Sequence, residues 1–335
     1  MYRPLADDGI LRRIISAAGA APSIHNTQPW RFQVSSDDVI EVHGDPDRML
    51  WVADPRGRAL HLSCGAALFN MRLAIRMSGG KALIWPLPNP RGEPTLLASV
   101  QLSEGRPASL AEHEMFDAIS MRHTSRDPFS ERPVPESVLI DLEQQAGFEY
   151  AVLRMLSARD AAMVLEIADA ASQELAEDFD HRVELSKWLG GSPTDGIPPA
   201  ALGTQPETSP APVRDLGYAS PGAARLTGAF ERLPQLAVLS TARDEAADWL
   251  RGGQALQRVL LAAARHGVAT SLLYQPIELH DMRRQDRTWW PWAEFPQVIV
   301  RLGYGPPAPQ TPRRPIEEIL ERPRDNLAAP EPGRA

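Results

Sequence analysis

The chain has 335 residues, 43% hydrophobic and 23% charged, the proportions of a globular protein with a substantial core. Its formal net charge of −8 argues against a broad nucleic-acid face. Its single cysteine, Cys64, excludes a disulfide framework or a four-cysteine zinc site within one chain. No apolar signal-type run opens the sequence, and no stretch of about 18 apolar residues occurs, so the expectation is a cytoplasmic protein without a membrane span. Proline is in excess, with 32 residues.

In chain order, residues 8–19 place Ile10, Leu11, Ile14, Ile15 and Ala18 on one helical stripe ending at Gly19. Residues 20–30 read as a loop. Residues 31–34 and 39–42 alternate and predict a hairpin. Residues 59–78 predict a long apolar helix and 96–103 a strand. A second cycle follows: helices over 111–121 and 135–146, a strand over 148–156, and a charged helix over 159–188. Residues 189–223 are rich in Gly, Pro, Ser and Thr, which marks a long loop or lid. Residues 244–266 predict another apolar helix and 296–303 another strand. Residues 321–335 read as a loose tail.

The second cycle echoes the first. Cys64–Gly80 laid over Gly252–Val268, 188 positions on, aligns Gly65 with Gly253, Ala67 with Ala255, Leu68 with Leu256 and Leu73 with Leu261. Leu11, Ala18 and Gly19 align with Leu139, Ala146 and Gly147 at an offset of 128. Val100-Gln101-Leu102 matches Val300-Arg301-Leu302. Two diverged copies of one α+β unit are expected, an N-terminal half over 1–108 and a C-terminal half over 109–320.

Phosphate-loop, dinucleotide-loop, zincin and serine-elbow motifs are all absent, and the eight histidines make no metal-ligand spacing, so no metal is expected. Three constellations remain. Arg122-His123-Thr124-Ser125-Arg126 sets two guanidiniums around hydroxyls, a donor set suited to phosphate oxygens or to a solvated helix end. Thr311-Pro312-Arg313-Arg314-Pro315 is held extended by its prolines, so its arginines point to opposite sides and one of them can join the first set. In Pro22–Trp30, prolines brace a loop in which Ser23, Asn26, Thr27 and Gln28 crowd donors and acceptors together, as a planar heterocycle with polar edges requires.

The string Ala21-Pro22-Ser23-Ile24-His25-Asn26-Thr27-Gln28-Pro29-Trp30 resembles the A-P-S-x-x-N-x-Q-P-W segment of the nitroreductase superfamily of flavoproteins. Arg122–Arg126 resembles its R-x-S/T-x-R motif. Gly253–Tyr274 resembles its central helix and following turn, and Gly303-Tyr304 with Pro312–Pro315 its C-terminal G-Y…P-R-R-P. The first half carries the loop without the arginine motif, and the second the reverse. That pattern is similar to the single-chain pseudo-dimers of Acg type.

The resemblance implies a nitroreductase-like α+β fold duplicated in one chain, with two antiparallel-rich sheets flanked by helices. It implies one FMN between the halves. Arg122, Thr124, Arg126 and Arg313 would hold its phosphate. Pro22, Ser23, His25 and Asn26 would line its ring and ribityl chain, and Leu273, Tyr274 and Gln275 would present backbone donors to the ring edge. No protein acid or base is required. The function implied is an FMN-dependent oxidoreductase acting on a small molecule, with NAD(P)H a possible donor. The alternative is a flavin-sequestering protein without turnover. Residues 189–223 would form a lid, Trp289-Trp290-Pro291-Trp292 would pack rather than roof the site, and a monomer is expected.

Overall fold

A computed structural model describes residues 5, 7–220, 222, 224–283 and 290–321; Trp289 and all of the tail beyond Glu321 lie outside the described residues. Helix α1 (Asp8–Gly19) starts where the Asp7 carboxylate accepts the Gly9 and Ile10 N–H groups, and it buries Leu11, Ile14, Ile15 and Ala18. Strands β1 (Trp30–Ser36) and β2 (Val39–Gly44) form the expected hairpin. Helix α2 (Arg58–Met77) begins over Asp54, whose carboxylate accepts Ala59 N at 3.0 Å and Leu60 N at 2.9 Å. Strands β3 (Gly80–Pro86) and β4 (Leu96–Glu104) follow.

The second cycle runs through α3 (Leu110–Met121), α4 (Glu136–Gly147), β5 (Val152–Met155), α5 (Ala158–Glu177) and α6 (Phe179–Ser186). After a long loop it continues through β6 (Gln205–Pro206), β7 (Thr227–Gly228), β8 (Gln235–Thr241), α7 (Ala246–Arg265), β9 (Ala269–Leu273) and α8 (Gln275–Arg283). It closes with β10 (Phe295–Gly303), α9 (Ile316–Ile319) and β11 (Leu320–Glu321).

The first sheet has the order β11-β1-β2-β4-β3 and the second β5-β8-β10-β9. All pairings within them are antiparallel except β1 with β11. Leaving β11 aside, both sheets run in the same order relative to their helices. Helices α2 and α7 are both 20 residues long and begin 188 positions apart, at Arg58 and Ala246. Helices α1 and α4 are both 12 residues long and begin 128 apart.

Helices α2 and α7 cross at a seam where residues 188 positions apart meet. A Cβ on Gly65 would stand 3.0 Å from the Gly253 Cα and 2.2 Å from the Leu250 carbonyl oxygen. His61 meets Trp249 edge-on at 5.6 Å. One position from equivalence, Gln257 Nε2 donates to Asn70 Oδ1 at 2.7 Å. A residue facing its own counterpart is what a two-fold axis produces in an isologous dimer. One core fills the space among α1, α2 and the first sheet, and another that among α4, α7 and the second. The segment 311–321, from the second half, crosses over to complete the first sheet: Phe32 pairs with Leu320.

Several local expectations change. The helix expected over 159–188 breaks at Asp178, whose extended backbone (φ −69°, ψ 115°) frees its carboxylate to accept His181 N and cap α6. The strand expected over 148–156 narrows to Val152–Met155. Strands β3, β8 and β9 and helix α8 have no counterpart in the sequence reading. Strand β8 is buried on both faces and so lacks the alternation that reveals a half-buried strand.

Candidate functional site

The arginine motif leaves α3 in extended conformation, with Arg122 at φ −74° and ψ 116°. It runs beside β9, where Thr124 bridges Thr270 and Ser125 N donates to Thr270 O at 2.8 Å. Extended chain puts alternate residues on one face, so Arg122, Thr124 and Arg126 all line one cavity. Arg313 enters the same cavity. Arg314, next in sequence, turns away and donates to Glu318 O at 2.8 Å.

The Pro22–Trp30 loop forms the opposite wall. His25, Asn26 and Gln28 have φ of 47°, 56° and 50°, the left-handed region that non-glycine residues rarely enter. Such strain persists where surroundings over-determine it. Here the Ser23 hydroxyl accepts Gln28 N at 2.9 Å, Asn26 Nδ2 donates to Gly196 O at 2.9 Å and Pro312 O at 3.0 Å, and Asn26 Oδ1 accepts from Arg313 Nη1 at 3.0 Å. Gln28 Nε2 donates to Thr194 O at 2.8 Å. The loop thus clips both the 189–223 segment and the C-terminal arginine segment. Asn26→Ala removes one buried and two partly buried hydrogen bonds and a residue tolerant of positive φ. The expected result is a loss of about 2–4 kcal/mol in denaturant unfolding, with faster proteolysis near Gly196.

The site has two communicating compartments that share Pro22, Ser23, Thr124 and Arg126. The polar one, about 400 Å³, adds Asn26, Arg122, His123, Thr311 and Arg313. No carboxylate of the described residues makes an ion pair with Arg122, Arg126 or Arg313. Arg122 is buried and its Nε has no partner; the Arg313 Nε is also unpartnered. Burial, with Arg313 adding repulsion, pushes Arg122 down to about 9. Burial and then Arg214 bring Arg126 to about 10, and burial alone brings Arg313 to about 10. Convergent guanidiniums without a counter-charge are costly unless an anion joins them.

The larger compartment, about 620 Å³, is walled by Leu62 and Ala66 of α2, Leu256 of α7, Leu272 of β9 and Leu216 from the 189–223 segment. Its polar groups are Ser63, His25, Tyr274 and Arg214. Arg214 pairs through Nη1 with Glu278 at 2.6 Å, and Glu278 shares a 2.6 Å hydrogen bond with His181. Burial alone would raise Glu278, but Arg214 and the His181 hydrogen bond hold it at about 2. Burial, then Arg214, depress His25 well below the usual histidine range.

Of the residues expected from sequence, Pro22, Ser23, His25, Asn26, Arg122, Thr124, Arg126, Tyr274 and Arg313 line these compartments. Leu273 and Gln275 do not. The Leu273 side chain alternates away from Leu272 into the core against Ile299, and the Gln275 side chain donates through Nε2 to Ser172 Oγ at 3.2 Å, so any part they take in the site is through the backbone. Asn26 acts mainly as a clip. Arg214 and Leu216 escaped sequence reading, because single residues in an aperiodic loop carry no pattern. Trp290 and Trp292 pack together at 4.4 Å, outside the cavity lining. Among the described residues there is no metal-type cluster and no helix long and apolar enough to cross a membrane.

The donor set fits FMN. Three guanidiniums lacking carboxylates, two with orphaned Nε atoms, suit a phosphate, and the adjoining apolar compartment with polar edges suits a flat ring.

No family model matches the chain. A Mycobacterium tuberculosis H37Rv protein provisionally named NAD(P)H nitroreductase acg is 34% identical over 328 residues, spanning 93% of this chain and 95% of that protein. A second protein of that strain, also provisionally named an NAD(P)H nitroreductase, is 31% identical and spans 96% of this chain and 94% of its own. Among solved structures, a nitroreductase-type protein from Anabaena variabilis covers 88% of both chains at 11% identity and a TM-score of 0.47. The Mycobacterium smegmatis nitroreductase NfnB covers 64% of this chain at 17% identity, all of its own length, and a TM-score of 0.38. Full-length similarity at 34% identity makes this chain a member of the nitroreductase superfamily, in its Acg-type branch.

Proposed function

We propose that the protein is an FMN-dependent oxidoreductase with one flavin site, built between two copies of one ancestral unit in a monomeric chain. The observation that carries this reading is the cluster of Arg122, Arg126 and Arg313, without counter-charge, at one end of a cavity whose other end is apolar. The repeated sheet order, the seam of equivalent residues and the kinship to proteins named NAD(P)H nitroreductases support it. Arg122, Arg126 and Arg313 hold the phosphate, with the Thr124 hydroxyl as a further donor. Leu62, Ala66, Leu256 and Leu272 exclude water around the ring. Bound there, FMN supplies two-electron transfer to or from a small substrate, with NAD(P)H as a candidate donor.

Purification followed by an absorbance spectrum and FMN titration tests the reading. Flavin bands, or uptake of one FMN per chain, are expected; a colourless protein that takes up none overturns it. Anaerobic NADPH then distinguishes turnover from sequestration, since fast bleaching marks an oxidoreductase and inert flavin a storage protein. Storage is favoured by one feature: Ile197, Arg214 and Leu216 of the 189–223 segment close over the cavity.

The pH dependence has a definite sign. Arg122 carries its charge below about 9 in the ligand-free fold, so phosphate-directed affinity is full at neutral pH and declines as pH rises past that value. Calorimetric titration of FMN at pH 7 and pH 10 is expected to show at least a tenfold weakening, the factor that corresponds to about 1.4 kcal/mol.

A further inference from the structure

We propose that a basic groove among α2, β3, α3, α4 and α7 binds a nucleoside polyphosphate. It shares no lining residue with the flavin cavity, and it stands independently of the flavin reading. The internal repeat shows where it sits. Offsets of 188 and 128 carry Ala66 of the flavin cavity wall to Gln254, and Ala21, just ahead of Pro22, to Glu149. Arg72 ties these two together: its Nη1 donates to Glu149 Oε2 at 2.7 Å and to Gln254 Oε1 at 3.0 Å, and Arg258 Nη1 reaches Glu149 Oε1 at 3.1 Å. Charged side chains thus bridge the position that the repeat relates to the flavin wall. Arg72 and Arg258 also line a groove of about 1210 Å³, ample for a drug-sized ligand.

Arg72, Arg76, Lys81, Arg106, Arg258 and Arg265 line this groove, in a chain of net charge −8. Glu149 is shared by Arg72 and Arg258, Glu112 by Arg76 and Arg106, and Glu114 pairs with Arg265. Asp141 bonds to Gln145 at 2.9 Å and is matched by His266 at 2.8 Å. Lys81 pairs with no carboxylate of the described residues. The groove therefore keeps a surplus of positive charge. Arg72 spends only Nη1 on Glu149 and Gln254, and Arg258 spends Nε on Gln145 and Nη1 on Glu149. The Nη2 of each is left for a phosphate oxygen, and a chain of phosphates can reach several such donors at once. Phe148, also on the groove, is 61% exposed and carries Arg258 over one face at 4.7 Å. Its other face is open, and an aromatic face beside cations is what a base with attached phosphates uses. A small inorganic anion would use neither the spread of cations nor the ring.

Calorimetric titration of the FMN-loaded protein with ATP, tripolyphosphate and adenosine tests the site, since bound FMN keeps the nucleotide off Arg122, Arg126 and Arg313. ATP is expected to bind once per chain and about tenfold more tightly than tripolyphosphate, the scale of one base stack. Adenosine is expected to give no measurable heat. Lys81→Gln with Arg106→Gln, both at exposed positions, is expected to weaken ATP and tripolyphosphate alike by about tenfold. Lys81→Arg with Arg106→Lys keeps both charges and is expected to bind ATP within about twofold of the unaltered protein, which separates lost charge from a folding defect. Phe148→Ala is expected to weaken ATP about tenfold and to leave tripolyphosphate within about twofold. No ATP binding, equal binding of ATP and tripolyphosphate, or either neutralised variant indifferent to ATP overturns the proposal. So does a concentration-dependent dimer that the Lys81→Gln, Arg106→Gln protein no longer forms, because the groove then belongs to a second copy. If the protein takes no FMN, the flavin reading fails by itself. The Arg122→Met, Arg126→Met protein then replaces the loaded one, and ATP binding lost in it overturns the groove by assigning the nucleotide to the other cavity.

Discussion

Replacing Arg122 and Arg126 together by methionine is expected to abolish FMN retention through purification without lowering the stability of the ligand-free protein by more than about 1 kcal/mol. Hydrogen bonds to charged groups contribute about 1.5–3 kcal/mol each. Loss of both guanidiniums therefore weakens FMN by a factor on the order of 10² to 10⁴. The stability half of the prediction follows from the pairing pattern. Arg122 has an orphaned Nε and no ion pair, and Arg126 gives one hydrogen bond, to Ala201 O at 2.9 Å. A charge that burial has pushed down to about 9 is a liability to the empty fold, and methionine keeps most of the volume without it. Unchanged flavin stoichiometry in the double variant removes the phosphate assignment. Lost flavin together with a collapsed fold would instead make the arginines structural. A chemical denaturation curve beside the absorbance spectrum separates the two.

The second large effect lies at the seam. Gly253→Ala is expected to destabilise the protein by about 3 kcal/mol or more, read as a shifted denaturation midpoint. A Cβ on Gly253 would stand 2.0 Å from the Leu62 carbonyl oxygen, and one on Gly65 would stand 2.2 Å from that of Leu250. Both obstacles are helix backbone, so relief requires α2 and α7 to separate. The same helices carry Leu62, Ala66 and Leu256 into the cavity wall, so flavin affinity is expected to fall as well. Gly147→Ala is the control. Gly147 ends α4 with nothing within 4 Å of a new Cβ, and alanine there is expected to be neutral or to stabilise by up to about 1 kcal/mol. An unaffected Gly253→Ala protein would remove the close crossing as a determinant of the fold.

How far the sequence reaches depends on whether the information is local and repeated. Helix α1 buries one stripe while α2 and α7 are buried over most of their surface, and the apolar residues of α1, α2, α4 and α7 mark each helix within a residue or two of the observed ends. The offsets of 188 and 128 are visible because α2 and α7 both present small residues at one crossing, and α1 and α4 both present apolar residues to a core. The Arg-x-Thr-x-Arg spacing is legible because an extended chain turns alternate residues to one side, and that is how Arg122, Thr124 and Arg126 reach one cavity. The 189–223 segment betrays itself by proline and glycine alone.

Other features have no local signature. Strand β8 is buried on both faces and β9 is buried or partly buried throughout, so neither shows a polar–apolar alternation. Leu272 and Leu273 are chemically alike, and only the pleat of β9 against β10 decides that the first faces the cavity and the second the core. Asn26 had the right chemistry for a ring contact, yet its amide is taken by Gly196, Pro312 and Arg313, segments some 170 to 287 positions away along the chain. Arg214 is one charge in a proline-rich loop until closure sets it between Glu278 and an apolar chamber.

Length, composition and periodicity by themselves determined an α+β chain written as two similar cycles, with the arginines and the proline-braced loop divided between them. Tertiary structure alone decided that these pieces meet, which arginines are left without a counter-charge, and that Ile197, Arg214 and Leu216 of the long loop line the same cavity. The physical reason is that pairing and burial are properties of neighbours in space, and the neighbours that make this site come from stretches spread from Pro22 to Arg313.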